Sequence, residues 1–552
     1  MPRGAPFVGA LCIATLVALT AGCSPGESKV AKGNRDGVLY FGNGTEPQTI
    51  DPHVLSGSPE ANVARSLFEP LVRRNPYDLS IEAGAAERWE FSEDGQVITF
   101  YLNPEARWSN GEPVTAEDFR WSWERALTPR MGFLIAEVFY GIRNAEDFNR
   151  GQITDPAELG VEVIDEHTLR VELAFPDPFA LINFSYVYTA PVHRATVEAY
   201  GEMTDRYSAW TRPENFVGNG PFTLADWKMQ RFLRVERNPY YWDHENVALN
   251  AIVYRPIESA TTEEKMFRSG QLHSASMVPN NKVPGYREQP DSPLVEGPFM
   301  GSYYYLLNNS RPPLDRPQVR RALALAIDRD TLAEAVLKST VIGSANYVPI
   351  GMPDYEHPKV LGFDPAEARR LLAEAGFPDG EGFPSLTLTY NTSENHRSVA
   401  VAVQQMWKKH LNITVNLANQ EWKVYLDTLD NRDYQIARMG WIGDISPGAF
   451  LDRLVTDGGT NRTGFASAEY DDLIYNKIRP ASEKAEIIKL YQDAERILLE
   501  ETALIPIYSY KVKRLVQPST EGLPSNQVEA YNFKYVELDK AAAAWNWRTL
   551  EP

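Results

Sequence analysis

The stretch from His396 to Asn419 constrains the fold more than any other. HRSVAVAVQQMWKKHLN reads as a helix and runs with no linker into ITVNLAN, whose β-branched and apolar residues suit a strand. A helix delivered straight into a strand belongs to an α/β lobe, in which sheet lies between helices. The same mixture recurs nearby. RPQVRRALALAIDRDTLAEAVL carries a long helical pattern, DPAEARRLLAEAG closes on Gly376 as helices often do, and LYQDAERILLEETALIPIYSY passes from helix into an apolar strand.

The first half follows the same pattern. VLYFG and QVITFYL read as strands, and GVEVIDEHTLRVEL as a hairpin turning at DEH. In PVTAEDFRWSWERAL, Thr115 and Asp118 are spaced for a capping box, while Phe119, Trp123 and Leu127 form one apolar stripe. At 552 residues the chain exceeds a single core, and roughly 100 to 200 residues per domain gives two to four domains. Two or more α/β lobes are expected, with a ligand cleft where they meet.

The N-terminus sets the compartment. Arg3 precedes the apolar run Phe7–Leu19, which is shorter than the roughly 20 residues of a spanning helix. Residues 1–22 therefore read as a signal peptide. The run ends in LTAGC, which is similar to a bacterial lipobox and makes Cys23 the expected site of lipidation, although Thr20 replaces the usual aliphatic residue. The polar segment that follows, through residue 36, reads as a flexible lipid-anchored tether.

Several chemistries are excluded on the same grounds. Cys12 and Cys23 are the only cysteines, so processing and acylation leave no thiol for catalysis, disulfides or zinc. The eight histidines lack metal-ligand spacing, and HExxH, GxSxG, GxxxxGK and GxGxxG are absent. No metal, cofactor or catalytic residue is expected. A net charge of −19 argues against nucleic acid, whose binding needs a positive face. One loop stands out. In ARMGWIGDISPG, the breakers Gly440, Gly443, Pro447 and Gly448 predict a loop that holds Trp441 beside Asp444, a ring and a short acid that suit recognition, or else a core plug and an acid that caps a helix or closes a turn.

Longer segments carry a resemblance. IDPHVLSGSPEANVARSLFEPL, RWSNGEPVTAEDFRWSWERAL, FVGNGPFTL, RNPYYW, YYYLLNN, ALAIDRD, ARRLLAEAGF, NQEWKVYLDT and ARMGWIGD follow one another over nearly the whole mature chain. Together they resemble the extracytoplasmic solute-binding proteins of peptide ABC transporters, the oligopeptide binders above all, with binders of murein peptide as near relatives. The resemblance implies a two-lobed α/β fold of the periplasmic-binding-protein class II type. Lobe I would begin at 37–68, an extra inserted domain would follow at 69–198, and lobe I would resume at 199–300. Lobe II would span 301–511, and lobe I would return at 512–552. It implies short peptides as ligand, an ABC transporter permease as partner, and a monomer held by its lipid anchor in the periplasm or at the cell surface. A narrower solute such as a murein tripeptide is the alternative ligand, and peptide hydrolysis the alternative activity.

The resemblance also implies a site. Asp444 would pair with the peptide's α-ammonium, Trp441 and Trp422 would line side-chain pockets, and Tyr140 would meet the peptide. Arg438 and His396 would receive the carboxylate end. The physics agrees, because an enclosed ammonium must be paired and an extended peptide can be held through its own N–H and C=O groups. Several charged family positions are altered: Ser56 stands for an acid after DPH, Leu306 for an acid after YYY, Leu429 for a base after YLDT, and Leu337 for a base after AIDRD. A cysteine pair found in some relatives is replaced by Gly301 and Ile442.

Overall fold

The computed structural model describes residues 27–55, 57–456, 458, 460–529 and 531–542, apart from the side chains of Trp422 and Lys423. The signal peptide, Cys23 and Ser56 lie outside the described residues. A sheet of eleven strands runs through both lobes. From the lobe II edge its order is Val415–Gln420, Leu386–Asn391, Ile436–Ile442, Leu294–Leu307, Leu504–Val516, Ser274–Ala275, Val38–Gly42, Ala251–Arg255, Phe232–Arg237 and Phe222–Lys228, with Val341–Gly343 paired to Leu504–Val516 off this path. Strand Leu386–Asn391, helix Glu394–Leu411 and strand Val415–Gln420 make a parallel βαβ unit. Val399, Val403 and Trp407 bury the inner face of that helix, and Asn412 ends it in the left-handed conformation.

The lobes are joined by two long crossing strands, Leu294–Leu307 and Leu504–Val516. Leu294–Pro298 pairs with Leu515–Lys511 on the lobe I side, and Ser302–Leu306 with Ser509–Leu504 on the lobe II side. Between these blocks the register shifts at Phe299–Gly301. A bulge there bends the strand as it passes from one lobe to the other. Gly301 lies opposite Ile442, so the two positions that replace the cysteine pair are register neighbours.

The inserted domain has its own antiparallel sheet, in the order Ala86–Phe91, Val97–Leu102, Thr168–Glu172, Val161–Asp165. Helix Ala116–Leu127 packs on it. Thr115 and Asp118 form the capping box, and Phe119, Trp123 and Leu127 are all buried. One core cluster gathers residues from Leu71 to Phe184 with Val54, whereas Val187, Ala190, Val192 and Val197 join the lobe I core. Asp51 and His53 of IDPH tie lobe I to this domain. Arg125 reaches across to Asp51 with Nη2–Oδ2 2.6 Å, and all three side chains are buried.

Three expectations need correction. The tether does not extend through residue 36: Lys29–Asp36 is a helix capped by Ser28 and ended by left-handed Gly37, with Val30, Gly33 and Asn34 buried against lobe I. Its Lys and Gly content hid a short inward face. The long helix at 316–337 is broken into Pro317–Leu325 and, after Asp328 caps a new start on the Thr331 N–H, a turn that continues as π-helix over Leu332–Val336. Buried Arg329 lies at the break and donates to the carbonyls of Pro506 and Ile327. Finally, Trp441 sits on a strand, Ile436–Ile442, and not in a loop. The strand has glycine at 440 because any Cβ there would come 2.7 Å from the Tyr510 hydroxyl and 2.9 Å from the Arg438 guanidinium.

Candidate functional site

A cleft of about 2060 Å³ lies between the inserted domain, lobe I and lobe II. Trp441 and Asp444 line it from lobe II, Tyr140, Asp177 and Tyr186 from the inserted domain, and Phe299 of the bulge from the crossing strands. Strand alternation decides which predicted residues reach it. Ala437, Met439 and Trp441 point to one lobe II core, whereas Ile436 joins the other core and Arg438 lies 4.7 Å above the ring of that second core's Tyr303. Trp441 and Arg438 therefore project from opposite faces of the same strand, and a motif contiguous in sequence is split in space.

Asp444 lies just beyond the strand and is 5% exposed. Its Oδ1 accepts from Arg74 Nη1 at 2.7 Å and from the Ile445 N–H at 2.6 Å, and its Oδ2 accepts from the Tyr186 hydroxyl at 2.5 Å. Both cross-domain partners come from the inserted domain. Arg74 ends strand Val72–Arg74 and is fixed further by Nε to Ser185 Oγ at 2.9 Å, with its guanidinium over the Tyr186 ring. Burial opposes the charge of Arg74, but Asp444 and Tyr186 outweigh it and hold the guanidinium above its ordinary pKa. Burial and the neighbouring carboxylate keep Tyr186 a hydroxyl donor.

The other predicted residues fall into two groups. Trp441 is anchored by Nε1 to the Ala449 carbonyl at 2.7 Å and carries the Arg453 guanidinium on one face of its ring, where it borders the cleft. Tyr140 lines the cleft with its hydroxyl donating to Asn149. Arg438 and His396 do not line it. They meet at Tyr303, where His396 sits 5.6 Å from the ring and Arg438 Nη2 donates to the Tyr510 hydroxyl at 2.8 Å. Burial, then the charge of Arg438, pushes His396 down to about 3, so it is neutral there. A smaller cavity of about 580 Å³, walled by Asn395, Tyr510 and Phe299, adjoins this cluster. The Trp422 side chain lies outside the described residues, although helix Trp422–Asp430 begins at that position.

Sequence reasoning missed Arg74 and Tyr186, which lie 370 and 258 residues from Asp444. No local signal marks them, since Arg74 is one of several arginines in a polar stretch and Tyr186 one aromatic among several in an apolar run. It also missed Asp177 and Asp452, carboxylates from different domains that both border the cleft. Burial lifts each to about 6, and for Asp452 the charge of Asp177 adds to it. The altered charges are better understood in space. Leu306 and Leu429 share one buried core cluster and Leu337 belongs to another, and none of them lines the cleft. An acid and a base expected at two of these positions are replaced by an apolar pair in one core, an exchange that costs a fold little.

Two lobes on crossing strands around a cleft, with an extra domain closing one side, define a solute-binding protein of the periplasmic type. The chain belongs to the bacterial extracellular solute-binding proteins, family 5, whose middle-region model matches residues 80–462. It is 35% identical over 502 residues to the periplasmic oligopeptide-binding protein OppA of Escherichia coli K12, covering 88% of this chain and 89% of that protein. To the periplasmic murein peptide-binding protein MppA of the same organism it is 34% identical over 497 residues, covering 88% and 90%. The structure of Haemophilus influenzae OppA in complex with the peptide RPPGFSPFR superposes with a TM-score of 0.78 at 32% identity, covering 91% of this chain and 99% of that one.

Proposed function

We propose that this protein captures short peptides outside the cytoplasm and hands them to an ABC import permease, without chemistry of its own, while a lipid on Cys23 holds it as a monomer at the membrane surface. One observation supports this reading above the rest: a cleft large enough for an extended peptide is bordered by the buried acid Asp444, and the strand that leads to it carries the cation Arg438, which has no carboxylate partner among the described residues. Asp444 takes the ligand's ammonium, and Arg438 with His396 lies toward the carboxylate end. Trp441, Trp422 and Tyr140 shape the walls for side chains. The core clusters support the domain division, with the inserted domain's core reaching from Leu71 to Phe184 and lobe I recovering Leu523, Tyr531, Phe533 and Val536 at the C-terminal end.

Titration calorimetry with unmodified peptides of two to five residues tests the reading. Binding near micromolar affinity, about −8.2 kcal/mol, is expected for several unrelated sequences. Asp444→Asn should weaken it at least tenfold with folding intact; equal affinity in that variant would remove Asp444 from the ammonium site.

A further inference from the structure

Asp444 is paired with a cation of the protein's own. Its carboxylate offers about four acceptor positions, and three are filled by Arg74, Tyr186 and the Ile445 N–H. The side chains of Arg74 and Asp444 are 5% and 7% exposed, so an ammonium cannot be added beside the guanidinium without moving it. Two cations around one enclosed carboxylate would leave a positive charge buried and unpaired, which is costly. Resting on the peptide-binding reading above, we propose that Arg74 is a built-in competitor for the ligand's ammonium and thereby sets how strongly a free amine is selected. The ligand's amine takes Asp444 only as Arg74 withdraws toward the cleft that it borders. Arg74 remains tethered by Ser185 and the Ile182 carbonyl, and so can return.

Competition of this kind lowers apparent affinity by the fraction of molecules whose Asp444 is unpaired. It acts only on ligands that use Asp444. A peptide whose N-terminus is acetylated brings no ammonium and does not contend with Arg74. The ratio of affinities for a free and an acetylated peptide therefore reports the competitor, whereas a purely structural role for Arg74 would alter stability and leave that ratio unchanged.

The experiment is calorimetric titration of trialanine and N-acetyl-trialanine into the wild-type protein, Arg74→Gln, Arg74→Lys and Tyr186→Phe, with thermal unfolding of each. Arg74→Gln is expected to tighten trialanine binding about tenfold and to leave N-acetyl-trialanine within about twofold. Arg74→Lys, which keeps a cation, should stay within about threefold of the wild type for both peptides. Tyr186→Phe frees an acceptor position on Oδ2 and should tighten trialanine binding about threefold, which keeps the test decisive if Arg74→Gln does not fold. If the wild type binds trialanine but neither Arg74→Gln nor Tyr186→Phe changes the free-to-acetylated ratio, the competitor role is overturned and peptide capture stands. If the wild type binds neither peptide, the peptide reading falls and this inference falls with it.

Discussion

At the scale of single residues, Arg125 carries the most consequence for folding. It is fully buried, donates to both oxygens of Asp51, donates to His53 Nδ1 at 2.8 Å and caps the Met203 carbonyl at 2.6 Å. His53 Nε2 in turn donates to the Ala190 carbonyl, which fixes the neutral tautomer. Burial, with the charge of Arg125 next, pushes His53 down to about 3. Arg125→Met would leave the Asp51 carboxylate enclosed without a counter-ion, and a loss of about 3–5 kcal/mol is expected in urea unfolding. Adding Asp51→Asn should recover a substantial part of that loss, because the stranded charge goes with it. Equal stability of the single and double variants would mean that the ion pair is not what holds lobe I to the inserted domain. The IDPH segment, conspicuous in the sequence as part of the resemblance, is on this account a structural clasp.

Among elements, strand Ile436–Ile442 and helix Lys29–Asp36 show what was legible in the sequence and what was not. The helix and strand at 394–420, the capped helix at 116–127 and the hairpin at 161–172 could be read because each element obeys one local period. The strand bearing Trp441 could not, since its glycine serves a distant contact with Tyr510 that no local pattern encodes. Gly440→Ala should displace Arg438 from Tyr510 and cost about 1–3 kcal/mol of stability by overpacking, measurable by chemical unfolding; an unperturbed variant would show that the close approach is not needed. Helix Lys29–Asp36 is pinned by His273, whose Nδ1 accepts from the Tyr40 N–H while Nε2 meets Asn34 Oδ1. Burial lowers His273 from 6.5 to about 4. Between those values the unfolded chain binds a proton that the folded protein excludes, so this residue's contribution is whole above about pH 6.5 and is lost as pH falls. The stability advantage of wild type over His273→Gln should shrink by up to about 1.4 kcal/mol per pH unit from pH 6.5 to 4, and a constant difference would contradict the buried neutral state.

For the whole molecule, the arrangement of lobes decides function more than any one motif. The segments that carry the family resemblance are largely scaffold. Glu69 of LFEPL accepts from Tyr241 at 2.5 Å and from Trp242 at 2.7 Å of RNPYYW, and Asn219 of FVGNGP pairs with the Glu69 backbone. Such contacts explain why the fold was readable from sequence segments far apart. The site was readable only in part: Asp444, Trp441 and Tyr140 do border the cleft, but the partners of Asp444 come from a domain folded between distant segments of lobe I. On the proposed reading, a peptide would be held in the cleft by its amine and its backbone, so side chains should be accepted broadly.

The most direct test of that claim is native mass spectrometry of the protein as purified, and again after stripping and exposure to a mixture of di- to pentapeptides with free or acetylated N-termini. The account predicts a ladder of bound peptide masses of varied sequence, drawn overwhelmingly from the free-amine members and lost in Asp444→Asn. A folded protein that retains no peptide, or that takes acetylated and free peptides alike, would contradict it.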